Sequence, residues 1–208
     1  MSSRSIAFAL LAVGLVTTAA RFAASSDPVA PAAAAPLQEG GDEMAKMMEA
    51  AKKWTAPSDS HKKLGRFVGK WDVTSTMGGQ PVGKSKAEFT SILGGRFVKG
   101  ELKGQFWINA NYESLYLLGY DNFKHAFVQT SADNMNTMML EAQGVADQSG
   151  NALILYGKMD EYLTGEIGKE VKYIYRWKDD DHFAIEVHDL AIGETNTKVV
   201  EMQYTCAK

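Results

Sequence analysis

One cysteine in 208 residues excludes an internal disulfide, and four scattered histidines without a second cysteine exclude the Cys/His spacings of structural zinc sites. Basic residues are not in excess either: 22 Lys plus Arg stand against 25 Asp plus Glu, a net charge of -3. No Lys/Arg stripe alternates with aromatics and there is no basic excess to neutralise a phosphate backbone, so no nucleic-acid partner is expected. Catalytic signatures are missing as well, with no Gly-x-Ser-x-Gly elbow, phosphate loop, dinucleotide fingerprint or His-Glu-x-x-His. What remains, 45% hydrophobic, 10% aromatic and 23% charged, is the balance of a soluble globular protein with one full core.

The longest apolar run, Ile6 to Ala20, is too short to span a bilayer comfortably and is preceded by Arg4 and closed by small residues. That order predicts a secretory signal peptide over residues 1–26, with cleavage after Ala20, Ala24 or Ser26, and hence export to a periplasm or the exterior. An uncleaved anchor is the alternative. Removing residues 1–26 discards Arg4 and Arg21 and no acid, so 20 basic residues then face 25 acidic ones and the net charge becomes -5. Residues 27–41, with DPVAPAAAAP at their start, offer no apolar face and predict an extended tether. Residues 42–60 hold Met44, Met47, Met48, Ala51 and Trp54 at helical spacing, which predicts a short amphipathic helix and lead-in. Its methionine stripe either packs on the chain's own domain or recruits a partner.

From Gly65 the pattern changes to short apolar runs separated by turn residues, and residues 61–208 form the main domain. Ten runs are counted, 69–77, 84–93, 96–106, 112–121, 126–132, 137–146, 152–160, 169–178, 182–191 and 197–206. Alternation places Val171, Tyr173, Tyr175 and Trp177 on one face, and likewise Phe183, Ile185 and Val187, and Val200, Met202 and Tyr204. No segment between runs is long enough for a crossover helix, so the strands form a hairpin-connected meander. Closure into an up-and-down barrel removes its two open edges, while a two-sheet sandwich is the alternative.

Gly69-Lys70-Trp71 at the start of the first run resembles the Gly-x-Trp signature of calycin barrels. Ile92-Leu93-Gly94-Gly95-Arg96-Phe97, Leu118-Gly119-Tyr120-Asp121, Asp133-Asn134-Met135, Glu201 and Tyr204 resemble, in order, the landmarks of domain of unknown function family 1579. The resemblance covers about His61 to Lys208. It implies an all-β, ten-stranded antiparallel calycin-like barrel, akin to lipocalins, fatty-acid-binding proteins and haem-binding nitrobindins. It also implies that the tryptophan packs across a closed end and that the barrel binds ligands, and it carries over no catalytic residue. The chain departs from the family pattern at His188, where an aromatic is expected.

The candidate ligand-binding residues are Trp71, Arg96, Tyr120, Asp133, Asn134, Glu186 and His188. Arg96, Tyr120, Asp133 and Asn134 sit at strand ends, where they either converge at one mouth to orient a ligand's polar head or satisfy backbone groups in turns. His182, Glu186 and His188 share one face of the ninth run; Glu186 and His188 are about 7 Å apart and His182 about 20 Å from His188, so two of them could share a metal but not three. Phe183, Ile185 and Val187 occupy the other face, which makes the His face the outer one, and no metal is predicted. Met135, Met138 and Met139 suit an adaptable apolar lining. Cys206 falls in phase with Met202 and Tyr204, as a small buried hydrophobe or an exposed thiol pairing two chains.

The expected function is an exported, non-enzymatic barrel that holds a small hydrophobic or amphipathic molecule in its lumen, without a cofactor. One alternative is a haem-bearing, nitrobindin-like redox barrel with His125, His182 or His188 as axial ligand. The other is an envelope interaction module that docks through the methionine stripe.

Overall fold

A computed structural model describes residues 38–107, 110–190 and 197–207 of the chain. The predicted signal peptide and residues 27–37 of the predicted tether lie outside the described residues, while residues 38–41, expected in the tether, belong to the first helix. Helix α1, Gln38–Thr55, is followed by a six-residue helix α2, Asp59–Leu64, and a 3-10 turn, Gly65–Phe67. Ten strands then follow: β1 Gly69–Met77, β2 Gln80–Ile92, β3 Phe97–Phe106, β4 Ala110–Asp121, β5 Ala126–Asp133, β6 Leu140–Ala146, β7 Ala152–Glu161, β8 Glu166–Trp177, β9 His182–Asp189 and β10 Lys198–Cys206. Each pairs antiparallel with its sequence neighbours, and β1 pairs with β10 to close the barrel. The sandwich alternative is thereby excluded. Among the described residues no helix is long and apolar enough to cross a membrane.

Strand alternation builds the core. Val171, Tyr173, Tyr175 and Trp177 on β8, Phe183 and Ile185 on β9, and Met202 and Tyr204 on β10 are all buried, as their period predicted. The outer faces carry exposed cross-strand ion pairs such as Lys86–Asp72 at 2.8 Å and Lys158–Glu170 at 3.3 Å, which favour solubility more than stability.

One end of the barrel is plugged. Pro57 and Ser58 start α2, and the Ser58 backbone N–H donates to His61 Nδ1 at 2.9 Å, so the imidazole accepts at the helix entrance. Burial and the nearby Arg96 charge lower the His61 pKa. His61 and Lys62 are both part of α2. The helix delivers Leu64 and Phe67 to the barrel axis, where they are 1% and 0% exposed. The Phe67 ring lies 4.7 Å from Trp177 and 5.2 Å from Phe183, and Trp71 stands edge-on to Phe183 at 4.7 Å.

The methionine stripe of α1 does not pack on the barrel. Met44, Met47 and Met48 are 59%, 63% and 65% exposed, which does not fit the first of the two alternatives, a stripe packed on the chain's own domain. Only the last turn is held: Trp54 stacks on Phe123 at 4.6 Å, and Asn122 Nδ2 donates to the Trp54 and Ala56 carbonyls.

Gly144 in β6 shows how tightly the wall is built. A Cβ there would stand 1.9 Å from the Ile154 carbonyl oxygen of β7, which only backbone movement relieves. Gly144→Ala is expected to cost about 3 kcal/mol in denaturant unfolding. Gly65→Ala, at an αR position with nothing within 4 Å of the new methyl, is expected to be neutral or to stabilise by up to about 1 kcal/mol. Equal effects at the two sites would show that the Gly144 contact has room to relax.

Candidate functional site

At the end opposite the plug, the lumen opens into a cavity of about 510 Å3. Strand direction determines what reaches it. Odd strands end there and even strands begin there, so its wall takes Met77 from β1, Phe106 from β3, Tyr112 and Tyr116 from β4, and Ser131 and Asp133 from β5. Further round, Met159 and Glu161 come from β7, Lys169, Val171 and Tyr173 from β8, Val187 and Asp189 from β9, and Lys198, Val200 and Met202 from β10. The β5–β6 loop contributes Met135, Asn136 and Met138. Five of the chain's ten methionines thus touch the cavity, and Met139, also expected in the lining, is instead 70% exposed.

Polarity is layered. Toward the mouth, Lys169 Nζ lies 2.7 Å from Asp189 and 4.0 Å from both Glu161 and Glu166. The Asp189 carboxylate leads that embrace in raising the lysine's pKa. Lys198 is drawn onto Glu201 at 2.5 Å. Deeper, Tyr116, Tyr173 and Met202 are 6%, 7% and 6% exposed and form the floor with Ser131. Burial pushes the Tyr112, Tyr116 and Tyr173 hydroxyls up, and the Asp133 charge adds to it in all three, so the floor is neutral and rich in hydroxyls. Behind it Tyr175 donates to Gln129 Oε1, and Gln129 Nε2 donates to Ser131 Oγ at 3.2 Å.

Of the seven candidate ligand-binding residues, Asp133 alone lines this cavity, while Met135 and Met138 line it as their expected apolar role requires. Asp133 Oδ1 accepts from the Met135 N–H at 2.8 Å and from Asn136 Nδ2 at 3.0 Å, so it also shapes the loop. Asn134 faces away: its Oδ1 accepts from the Glu113 N–H at 2.9 Å and its Nδ2 donates to the Asn111 carbonyl, stitching the loop to β4. Arg96 and Tyr120 are at the plugged end, a strand's length from Asp133, and the four do not converge. Arg96 Nε donates to the Thr55 carbonyl at 3.1 Å, and Tyr120 meets His61 and Phe127 edge-on. Trp71 belongs to the plug, with Nε1 donating to the Phe67 carbonyl at 2.9 Å, as the resemblance implied for a tryptophan across the closed end.

Glu186 and His188 lie on the outer wall, on the face opposite Phe183 and Ile185. His188 Nε2 is 3.1 Å from Glu186 Oε2 and its Nδ1 is 3.3 Å from Thr197 Oγ1, a surface chain that does not reach the lumen. His182 pairs with Asp179 at 2.7 Å beyond the plugged end, and His125 is in the β4–β5 turn there. Among the described residues no histidine lines the cavity, so none of the three offered as axial ligands fits a haem in the lumen. No cluster of three or more metal-ligating residues occurs among the described residues either. Cys206 is half-buried against the core.

The cavity residues missed from sequence, chiefly Tyr112, Tyr116, Ser131, Lys169 and Asp189, share one signal. Each has inward phase in the half of its strand nearer the odd-to-even turns, a rule that would also have removed Arg96 and Tyr120.

Among curated proteins none is significantly similar to the chain in sequence. Among solved structures, Rv2717c from M. tuberculosis is similar, with a TM-score of 0.51 at 13% identity, over 73% of this chain and 99% of that one. That likeness shows a shared barrel fold. A redesigned beta barrel aligns with a TM-score of 0.39 at 8% identity, over 70% of this chain and 96% of that one. Residues 56–206, the last strand and the plug included, match the family described as Protein of unknown function (DUF1579), and the chain belongs to that family.

Proposed function

We propose that this protein is an exported, non-enzymatic, calycin-like barrel that binds a small apolar or amphipathic molecule in its lumen. The observation that carries the reading is the cavity itself. About 510 Å3 is the size of small-molecule sites in general, and walls of Met, Val, Phe and Tyr with a few polar groups match their chemistry. Methionine suits such a wall because an unbranched thioether adapts to irregular ligands. Export rests on Arg4 and the apolar run behind it.

The neutral dye N-phenyl-1-naphthylamine, added to the domain, is expected to brighten on saturable binding. Val187 and Val200 are cross-strand partners that both line the cavity, so Val187→Trp with Val200→Trp fills it from two adjacent strands. The double variant is expected to keep the barrel's circular dichroism and to bind the dye at least about tenfold more weakly. Undiminished binding in a folded double variant would place the dye elsewhere and remove the support for a lumenal site.

A second reading is favoured by one observation, the exposed Met44, Met47 and Met48 face of α1. There the helix docks to an envelope partner while the barrel serves as its carrier. Deleting residues 42–54 abolishes association with envelope proteins if this reading holds, and leaves it unchanged if it does not.

A further inference from the structure

We propose that the ligand is an uncharged amphiphile whose hydroxyl head is seated among Tyr112, Tyr116, Tyr173 and Ser131, and that the cavity rejects the carboxylate of the same chain length. The inference rests on the lumenal-site reading above and specifies its ligand class.

The charges lining the cavity point against an anion. Among the described lining residues the carboxylates are Asp133, Glu161 and Asp189, and the cations are Lys169 and Lys198. Both ammoniums are held on carboxylates, at 2.7 Å on Asp189 and 2.5 Å on Glu201. Among the described lining residues there is no arginine, and so none offers the forked donor pair that seats a carboxylate. An entering anion would lose its hydration and meet Asp133 without a committed counter-ion.

A hydroxyl meets no such penalty. It donates and accepts at once, and the floor supplies both functions. Tyr112, Tyr116, Tyr173 and Ser131 offer O–H groups, and burial together with the Asp133 charge keeps the three phenols protonated. Asp133 retains lone pairs beyond the two bonds its Oδ1 accepts within the loop. Above this floor the thioethers and Val171, Val187 and Val200 receive an alkyl body, which places the head inward and the tail toward the mouth.

The test is displacement of N-phenyl-1-naphthylamine by 1-dodecanol, dodecanoate and dodecylamine at about pH 8, where the acid is ionised and the amine protonated. Dodecanol is expected to displace the dye at least about tenfold more tightly than dodecanoate. In Asp133→Asn, which keeps an acceptor for the loop, that gap is expected to narrow to within about threefold. Tyr173→Phe, which removes a hydroxyl at constant packing, should weaken dodecanol about threefold or more and leave dodecanoate unmoved. Dodecanoate binding as tightly as dodecanol overturns the proposal, as does dodecylamine binding more tightly than either, which would make this a cation site. A dye that binds but is displaced by none of the three overturns the ligand class and leaves the lumenal site standing. A dye that does not bind at all removes the lumenal site, and this proposal with it.

Discussion

Raised through pH 10, the barrel is expected to unfold in one steep step, with tyrosinate absorbance and loss of β circular dichroism rising together. Tyr116, Tyr173, Tyr175 and Tyr204 are 6%, 7%, 0% and 1% exposed, and burial is the leading cause that pushes each hydroxyl above its ordinary value of 10.0. In the unfolded chain the same groups ionise near 10. Between that value and the folded one the native state therefore holds more protons than the unfolded state, so stability falls as pH rises. Below pH 10 both states are protonated and the contribution does not vary. The slope above it is up to about 1.4 kcal/mol per pH unit for each tyrosine, so four together exhaust a marginal stability within about two to three pH units. Tyr173→Phe should make the step shallower by about one tyrosine's share. Ionisation of all four with the circular dichroism intact would show that water reaches these hydroxyls in the folded barrel.

Phe67→Ala is the substitution expected to cost most in thermal unfolding, about 3–5 kcal/mol, or roughly 10 °C in Tm for a domain of this size. The ring is fully buried and touches aromatics from three strands: Phe89 on β2, Tyr175 and Trp177 on β8, and Phe183 on β9. Removing it empties the point where the plug meets the barrel axis. The surrounding strands are hydrogen-bonded on both sides and cannot collapse inward to fill the gap. Phe67→Leu should recover more than half of the loss. A drop in Tm below about 3 °C for the alanine variant would mean that the plug is peripheral to stability.

The plug also shows where sequence reasoning stopped. The segment 56–68 is too short to express a helical period, and its decisive residue, Phe67, lies in a single 3-10 turn before β1. Nothing local distinguishes a phenylalanine that enters a barrel from one on its surface. The candidate site failed for a related reason. Arg96, Tyr120, Asp133 and Asn134 are alike in chemistry and all sit at strand ends, yet antiparallel strands deliver their ends alternately to opposite poles. Two of the four therefore brace the plugged end, one stitches a loop to its neighbour strand, and one lines the cavity.

Glu186 and His188 make the opposite point. Their outward phase was legible from Phe183, Ile185 and Val187 on the alternate positions, and the structure places them outside as a surface hydrogen-bonded chain.

By itself the sequence determined the all-β class, the ten strands, the meander order and the inward set on β8, β9 and β10. Each of these follows from local signals: a period of two along a strand, turn residues between strands, and connections too short for crossovers. Tertiary structure alone decided that the barrel closes through β1 and β10, that one pole is filled by α2 and Phe67, and that the other is left as a cavity with a neutral, hydroxyl-rich floor. Those outcomes depend on which side chains meet across the barrel axis and how much volume they fill, and residues as distant in sequence as Phe67 and Phe183, or Tyr116 and Tyr173, become neighbours only when the sheet has closed.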